Sequence, residues 1–238
     1  MLNNIASEKI MYIDIETVPE HPAFGMLDDT MKALWEKKSS KISGADVTPE
    51  EDYVRAGIYA EFGKIICISA GIIKAENGER TLRVKSFFGH DEKKLLQEFS
   101  AALTNFTSHP GTNICGHNVR EFDFPYIARR ILINGLQLPD ILDVAGKKPW
   151  EVKFIDTMDL WKFGDFKHYT SLNLLTHIMG IPSPKDDIDG SQVASVYYEE
   201  DDVERIARYC EKDVLATAQL FLRLKGEPLL KPENVVSV

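Results

Sequence analysis

The stretch Ile-Met-Tyr-Ile-Asp-Ile-Glu-Thr-Val, residues 10–18, decides how the rest of the chain is read. Its first six residues are apolar apart from Asp14, and Pro19 and Pro22 close the run, which predicts a buried strand. Asp14 and Glu16 stand two apart, so on a strand their carboxylates project from the same face into one small volume. Mutual repulsion makes that arrangement costly unless a cation neutralises it, and an oxygen-rich site of this kind suits Mg2+ or Mn2+. An acidic pair at a strand end is also commonly just solvated or paired with Lys or Arg, so both readings stand for residues 10–18 alone.

Working outward, residues 26–62 are charged and sparsely apolar, with Met31, Leu34 and Trp35 at helical spacing and a second helical start at Thr48-Pro49-Glu50. They read as a helical excursion. Lys64–Lys74 and Thr81–Phe88 are strand-like runs around an Asn77-Gly78 step, a hairpin signal, so three strands form a meander. Asp91 then caps an amphipathic helix whose apolar residues Leu95, Leu96, Phe99, Leu103 and Phe106 recur at three and four. Asn113–Gly116 is a fourth short strand, Phe124–Asn134 a helix and Phe154–Asp156 a fifth strand. Ser171–Met179, Gly190–Tyr198 and Val203–Leu224 read as three further helices. The expected fold class is α/β, a mixed five-stranded sheet flanked by helices, in one domain over residues 1–238 with a helical insertion at about 26–62.

Composition narrows the function classes. With 28 Lys and Arg against 37 Asp and Glu, the net charge of −9 excludes a globally basic nucleic-acid coat, so a nucleic-acid partner needs a local site. Cys67, Cys115 and Cys210 are odd in number and never in a C-x-x-C pair, which argues against a disulfide framework and a thiolate zinc site. A reduced, cytoplasmic compartment fits. The N-terminus lacks a basic segment followed by an apolar one, and the longest apolar run, Ile65–Ile73, is too short to span a bilayer, so no membrane association is expected.

Two further segments carry possible chemistry. His117-Asn118-Val119-Arg120-Glu121-Phe122-Asp123 leads from a strand into a helix, where Asp123 also reads as an ordinary N-cap. Tyr209 and Asp213 lie four apart on one helical face, a pairing that is common by chance. Chance explains the three signals poorly once they are taken together, as carboxylates in the order Asp, Glu, Asp, Asp from a strand, a turn and a late helix. With Asp14–Thr17 as first motif, His117–Asp123 as second and Tyr209–Asp213 as third, the sequence resembles the DEDD superfamily of 3′-to-5′ exonucleases, and Tyr209 makes it similar to the DEDDy branch. Residues 61–69, 154–161 and 171–193 resemble the exonuclease domain of family B DNA polymerases, here as a stand-alone protein.

That resemblance implies an RNase H-like fold and a metal-dependent 3′-to-5′ exonuclease acting on single-stranded 3′ ends, DNA favoured over RNA, with nucleoside 5′-monophosphates as products. It implies two divalent cations, Mg2+ or Mn2+, held by Asp14, Glu16, Asp123 and Asp213. Asp14 would bridge both, Glu16 and Asp213 would hold the cation serving the attacking water, Asp123 would support the other, and Tyr209 would orient the water. Thr17 and Asn118 are the expected contacts to the terminal nucleotide, and Phe122 packs either beside a base or into the core. Lys185 reads as a phosphate contact or a solvated loop charge, and Asp156 and Asp159 as turn or capping residues. The histidine branch would have His where Arg208 stands, and His117 is no substitute. Residues 26–62 exceed a minimal exonuclease core, and no polymerase domain is expected after Val238. Any proofreading or DNA-repair role would therefore join a polymerase or repair protein in trans. The alternative is a non-catalytic nucleic-acid-binding module on the same fold.

Overall fold

The structure, a computed structural model, describes residues 5–43, 47–76, 78–152, 154–165, 169–182 and 188–238. Along the chain the strands are β1 (Ile10–Pro19), β2 (Gly63–Glu76), β3 (Glu79–Phe88), β4 (Asn113–Gly116), β5 (Phe154–Asp156) and β6 (Val235–Ser237). The helices are α1 (Asp29–Ile42), α2 (Pro49–Asp52), α3 (Glu92–Thr107), α4 (Asp123–Ile133), α5 (Thr157–Lys162), α6 (Leu172–Ile178), α7 (Val193–Ser195) and α8 (Val203–Lys225).

The strands form one mixed sheet in the order β5-β4-β1-β2-β3-β6. β1 is central, and a strand covered on both faces needs the nearly continuous apolar run that residues 10–18 supply. β1, β2 and β3 form the expected antiparallel meander, while β4 runs parallel to β1 and β5 parallel to β4. The β2–β3 turn closes on the pair Glu76 and Glu79; Gly78 has φ +82°, the left-handed conformation that a two-residue turn demands, and Asn77 lies outside the described residues. The sheet has six strands rather than the expected five. β6 is three residues long and is specified by parallel pairing with Leu82, Arg83 and Val84, a long-range partner that local pattern does not reveal.

Strand alternation then sorts the two faces. Met11, Ile13, Ile15, Ile68 and Phe87 bury against α3 and α4. On the other face Ile10, Tyr12, Leu82 and Val84 bury against Val214, Ala218 and Phe221 of α8. Asp14 and Glu16 continue the row of Ile10 and Tyr12, so the pattern of β1 sends both carboxylates toward α8. Asp91 caps α3 by accepting the Lys94 amide at 3.0 Å, and Asp202 caps α8 by accepting the Arg205 amide at 2.9 Å, each an interaction of ~1 kcal/mol.

The stretch 26–62 is helical as expected and brings its own small core. Trp35 is fully buried among Phe24, Tyr53 and Phe62, and its indole N–H donates to the Pro49 carbonyl at 2.8 Å. Two local differences from expectation concern short elements. The helix expected over Gly190–Tyr198 is the single turn α7 followed by a π-helical turn at 196–200, ended by Asp201 at φ +57°. α5, absent from the sequence reading, is a six-residue helix capped by Asp156, whose carboxylate accepts the Met158 amide at 2.9 Å. No helix among the described residues is long and apolar enough to cross a membrane.

Candidate active site

The three separated motifs meet on the α8 side of β1. Glu16 is 8% and Asp123 4% exposed, whereas Asp14 and Asp213 keep a partial opening to solvent, which gives the cluster a mouth. Burial, followed by the charges of Asp213, Glu16 and Asp123, pushes Asp14 well above the usual carboxylate range. Glu16 is raised by burial and then by Asp213, Cys67 and Asp123. Asp123 is pushed up to about 7, mainly by burial and also by Asp156 and Asp213, against the pull of backbone hydrogen bonds at Asp123 and Ile15. All three carboxylates therefore feel the charge of Asp213, and Asp14 and Glu16 also feel that of Asp123.

Among the described residues, Asp14, Glu16 and Asp123 have no Lys or Arg ion-pair partner. Buried like charges without a counter-charge are unfavourable in the deprotonated form, and an all-oxygen set of this kind fits a hard divalent cation. Tyr209 lies one helical turn before Asp213 and is hydrogen-bonded to it. Burial, then Asp213, Glu16 and Asp14, raise its phenol, so it remains a protonated donor throughout the physiological range.

Asp123 is the first residue of α4 rather than its cap; Phe122 holds the cap position and makes no side-chain cap bond, so the ordinary N-cap reading of Asp123 is corrected. Its position depends on the turn before it. Gly116 permits that turn: a Cβ there would fall 2.7 Å from the Cβ of Val119. Asp156, 3% exposed, then accepts the amides of Asn118 at 2.9 Å and Arg120 at 3.1 Å as well as that of Met158. Arg120 returns two bonds to the Phe154 carbonyl, at 3.1 and 2.5 Å. His117 ties Thr157 Oγ1, at 2.9 Å, to the Thr170 carbonyl, at 2.8 Å, and burial lowers its pKa, so it acts as a neutral strut.

The expected substrate contacts are placed less uniformly. Asn118 has φ +61°, and its Oδ1 is a buried acceptor without a hydrogen-bond partner. Thr17 is half-buried and hydrogen-bonds the Tyr126 phenol of α4. Phe122 is half-buried, its ring centroid 5.5 Å from that of Tyr126, at the edge of the α3–α4 core. Lys185 lies outside the described residues.

Two residues at the cluster escape sequence reasoning. Cys210, buried, donates from Sγ toward the Asp14 carbonyl at 3.3 Å and its Oδ2 at 3.4 Å, and the ligand atoms of Asp14, Glu16 and Cys210 lie within 4.8 Å of one another. Its thiol is raised well above its ordinary value, first by burial, so it serves as a donor to Asp14 rather than as a thiolate ligand. Its spacing of three before Asp213 on one helix was the available signal. Asp156 is the other; the capping expectation was correct, but it did not reveal that this carboxylate also holds the second motif.

A mixed sheet with helices on both faces, carrying carboxylates from its central strand, a turn and the last long helix, is the architecture of an RNase H-like exonuclease domain. The family B DNA polymerase from the hyperthermophilic archaeon Pyrobaculum calidifontis shares that fold, with a TM-score of 0.53 at 15% identity over 91% of this chain. The chain spans 24% of the polymerase's length. Residues 57–227 match the family described as predicted 3′-5′ exonucleases related to the exonuclease domain of PolB, and the chain belongs to that family. The matched span contains Asp123, Tyr209 and Asp213 and begins after Asp14 and Glu16. No curated protein matches the chain.

Proposed function

We propose that the chain is a metal-dependent 3′-to-5′ exonuclease of the DEDDy type, hydrolysing single-stranded nucleic acid, DNA in preference to RNA, to nucleoside 5′-monophosphates. The observation that carries this reading is the convergence of Asp14, Glu16, Asp123 and Asp213, with Tyr209 hydrogen-bonded to the last of them. Two divalent cations, Mg2+ or Mn2+, held by those four carboxylates would supply the positive charge that an anionic nucleophile needs to approach a phosphodiester. Asp14, on a central strand, would be the carboxylate shared by both; Glu16 and Asp213 would hold the cation that activates the attacking water, and Asp123 would support the other. Tyr209 keeps its proton at Oη, donates it to Asp213, and would orient the water by accepting a hydrogen bond from it. Asp156 fixes the backbone of the turn, and the unpaired Oδ1 of Asn118, buried in this structure, would have to be uncovered to accept from the terminal nucleotide. Thr17 and Phe122 line the approach as secondary contacts.

The whole of residues 1–238 is read as one domain, with residues 26–62 a helical insertion at the end of β1. Three buried free thiols fit a reducing, cytoplasmic setting. A DNA-repair role would pair the chain with a polymerase or repair protein in trans. The test is a time course on 5′-labelled single strands of DNA and RNA with Mg2+, Mn2+ or EDTA, beside an Asp14→Ala/Glu16→Ala control of matched folding. A metal-dependent ladder shortening from the 3′ end, absent from the control, is expected. No cleavage by the folded, metal-supplied protein would overturn the reading in favour of a binding module, and cleavage of a circular strand would do so in favour of an endonuclease.

A further inference from the structure

The sheet face opposite the carboxylates is only partly covered. α3 ends at Thr107, and beyond it the exposed faces of β2 and β3 form a groove of about 630 Å³ between the sheet, α3 and the segment after it. The register pairs Ile72 with Arg83 and Ala70 with Lys85, so each aliphatic residue of β2 lies beside a cation of β3. Leu82 and Val84, the alternate residues of β3, are buried on the α8 side, which is what leaves Arg83 and Lys85 exposed on this one. Met11, Ala70, Ile72 and Phe106 supply an apolar floor, and Lys9, Lys74, Arg83 and Lys85 rim it, against Glu8 as the acidic residue of the lining. Among the described residues none of these four cations has an ion-pair partner, in a chain whose net charge is −9. Lys85 instead sits 5.1 Å from the Phe87 ring centroid, and Lys9 donates to the Pro110 carbonyl at 3.2 Å.

We propose that this groove docks an acidic amphipathic helix of a partner protein, with aliphatic side chains at three- and four-residue spacing entering over Ile72 and Ala70 and carboxylates meeting Lys74, Arg83, Lys85 and Lys9. An apolar floor with a cationic rim is complementary to that chemistry in both its parts. A nucleic acid is served less well. Single strands bind through open aromatic faces along a basic track, whereas Phe87 is 4% exposed beneath Lys85, Phe106 is half-buried, and the rest of the floor is aliphatic. The groove is also separated by the sheet from the Asp14–Asp213 cluster, so a strand end in that cluster does not reach it directly.

The probe is a fluorescein-labelled helical peptide of about 14 residues, four turns, with Leu on one stripe and Glu elsewhere. Its affinity is read by anisotropy for the full chain and for the Lys74→Glu/Arg83→Glu/Lys85→Glu variant, beside a Leu-to-Ala analogue and labelled oligo-dT. All three substituted side chains are exposed, and near-UV circular dichroism checks that the variant keeps the parent fold. Saturable binding that weakens by about tenfold or more in the variant, and comparably in the Ala analogue, supports the proposal. Equal affinity for parent and variant overturns it, as does absence of peptide binding. Oligo-dT binding that the variant loses, without peptide binding, assigns the groove to nucleic acid instead. A concentration-dependent dimer in sedimentation that the variant abolishes assigns it to a second copy of the chain. Cleavage of the 5′-labelled strand by the variant within about twofold of the parent separates this outcome from the fate of the exonuclease reading.

Discussion

The two faces of the sheet pose opposite electrostatic problems. On the α8 face, Asp14, Glu16 and Asp123 are brought together with little access to water and no basic partner among the described residues. On the α3 face, Lys74, Arg83 and Lys85 are exposed and likewise have no acidic partner among those residues. Low exposure makes the acidic cluster demanding, because buried like charges favour protonation or a bound cation. High hydration makes the basic groove permissive, because solvated cations cost little until something docks on them. The comparison separates a site the fold must satisfy for chemistry from a surface it can leave open for association.

The largest test of that contrast is Asp213→Ala. At matched folding, as checked by circular dichroism, it is expected to lower kcat/KM on a labelled single strand by ~10³-fold or more; a change under about tenfold would remove Asp213 from the acidic cage. Next in size is a pH effect on stability in EDTA. Asp123 holds its proton to about 7 in the fold, but an unfolded Asp releases it near ~3.9. Between those values the unfolded chain has given up a proton that the folded chain keeps, so stability falls as pH rises from about 4 through about 7. Asp14 and Glu16 act in the same direction. Asp123→Asn is expected to flatten part of this decline and raise Tm at pH 8 by about 3 °C, ~1 kcal/mol for a chain of this length. An unchanged Tm there would mean that the charge at Asp123 is already compensated. The smallest effect belongs to Cys210→Ala, which removes a weak donor from Asp14 while leaving the carboxylates. The Mg2+ concentration for half-maximal activity should rise roughly threefold to tenfold, with kcat at saturation within about twofold; a large loss of kcat would give the thiol a direct role.

The same contrast explains what the sequence revealed. β1, the meander and α3 were legible because strand alternation, an Asn-Gly turn and a three-four apolar repeat are local signals. The carboxylates were legible because their backbones belong to such elements, so a spacing of two on β1 or four on α8 fixes a shared face. β6 and α5 were not: β6 is fixed by its pairing with the distant β3, and the six residues of α5 are too few to establish a helical period. Cys210 and Asp156 were hard to read as site residues for another reason: their partners lie 196 and 38 residues away, and the three-residue spacing of Cys210 before Asp213 fits a core thiol as well, just as Asp156 fits an ordinary helix cap. The basic groove was hidden by its own strand, because the alternation that predicts β3 does not say which face a later helix leaves bare.

The placement of Asp14 and Glu16 on β1 has a consequence for amide exchange. β1 is paired with β2 along its length, Asp14 opposite Ser69 and Glu16 opposite Cys67, and with β4 at residues 10–12, so its protons are expected to exchange with the cooperative opening of the sheet. The turn carrying Asn118 and Arg120 is held instead mainly by side chains, the Asp156 carboxylate, the Arg120 guanidinium on the Phe154 carbonyl and His117, and is expected to open sub-globally. One half of the acidic cluster thus shares the lifetime of the fold, and the other half has a shorter clock of its own.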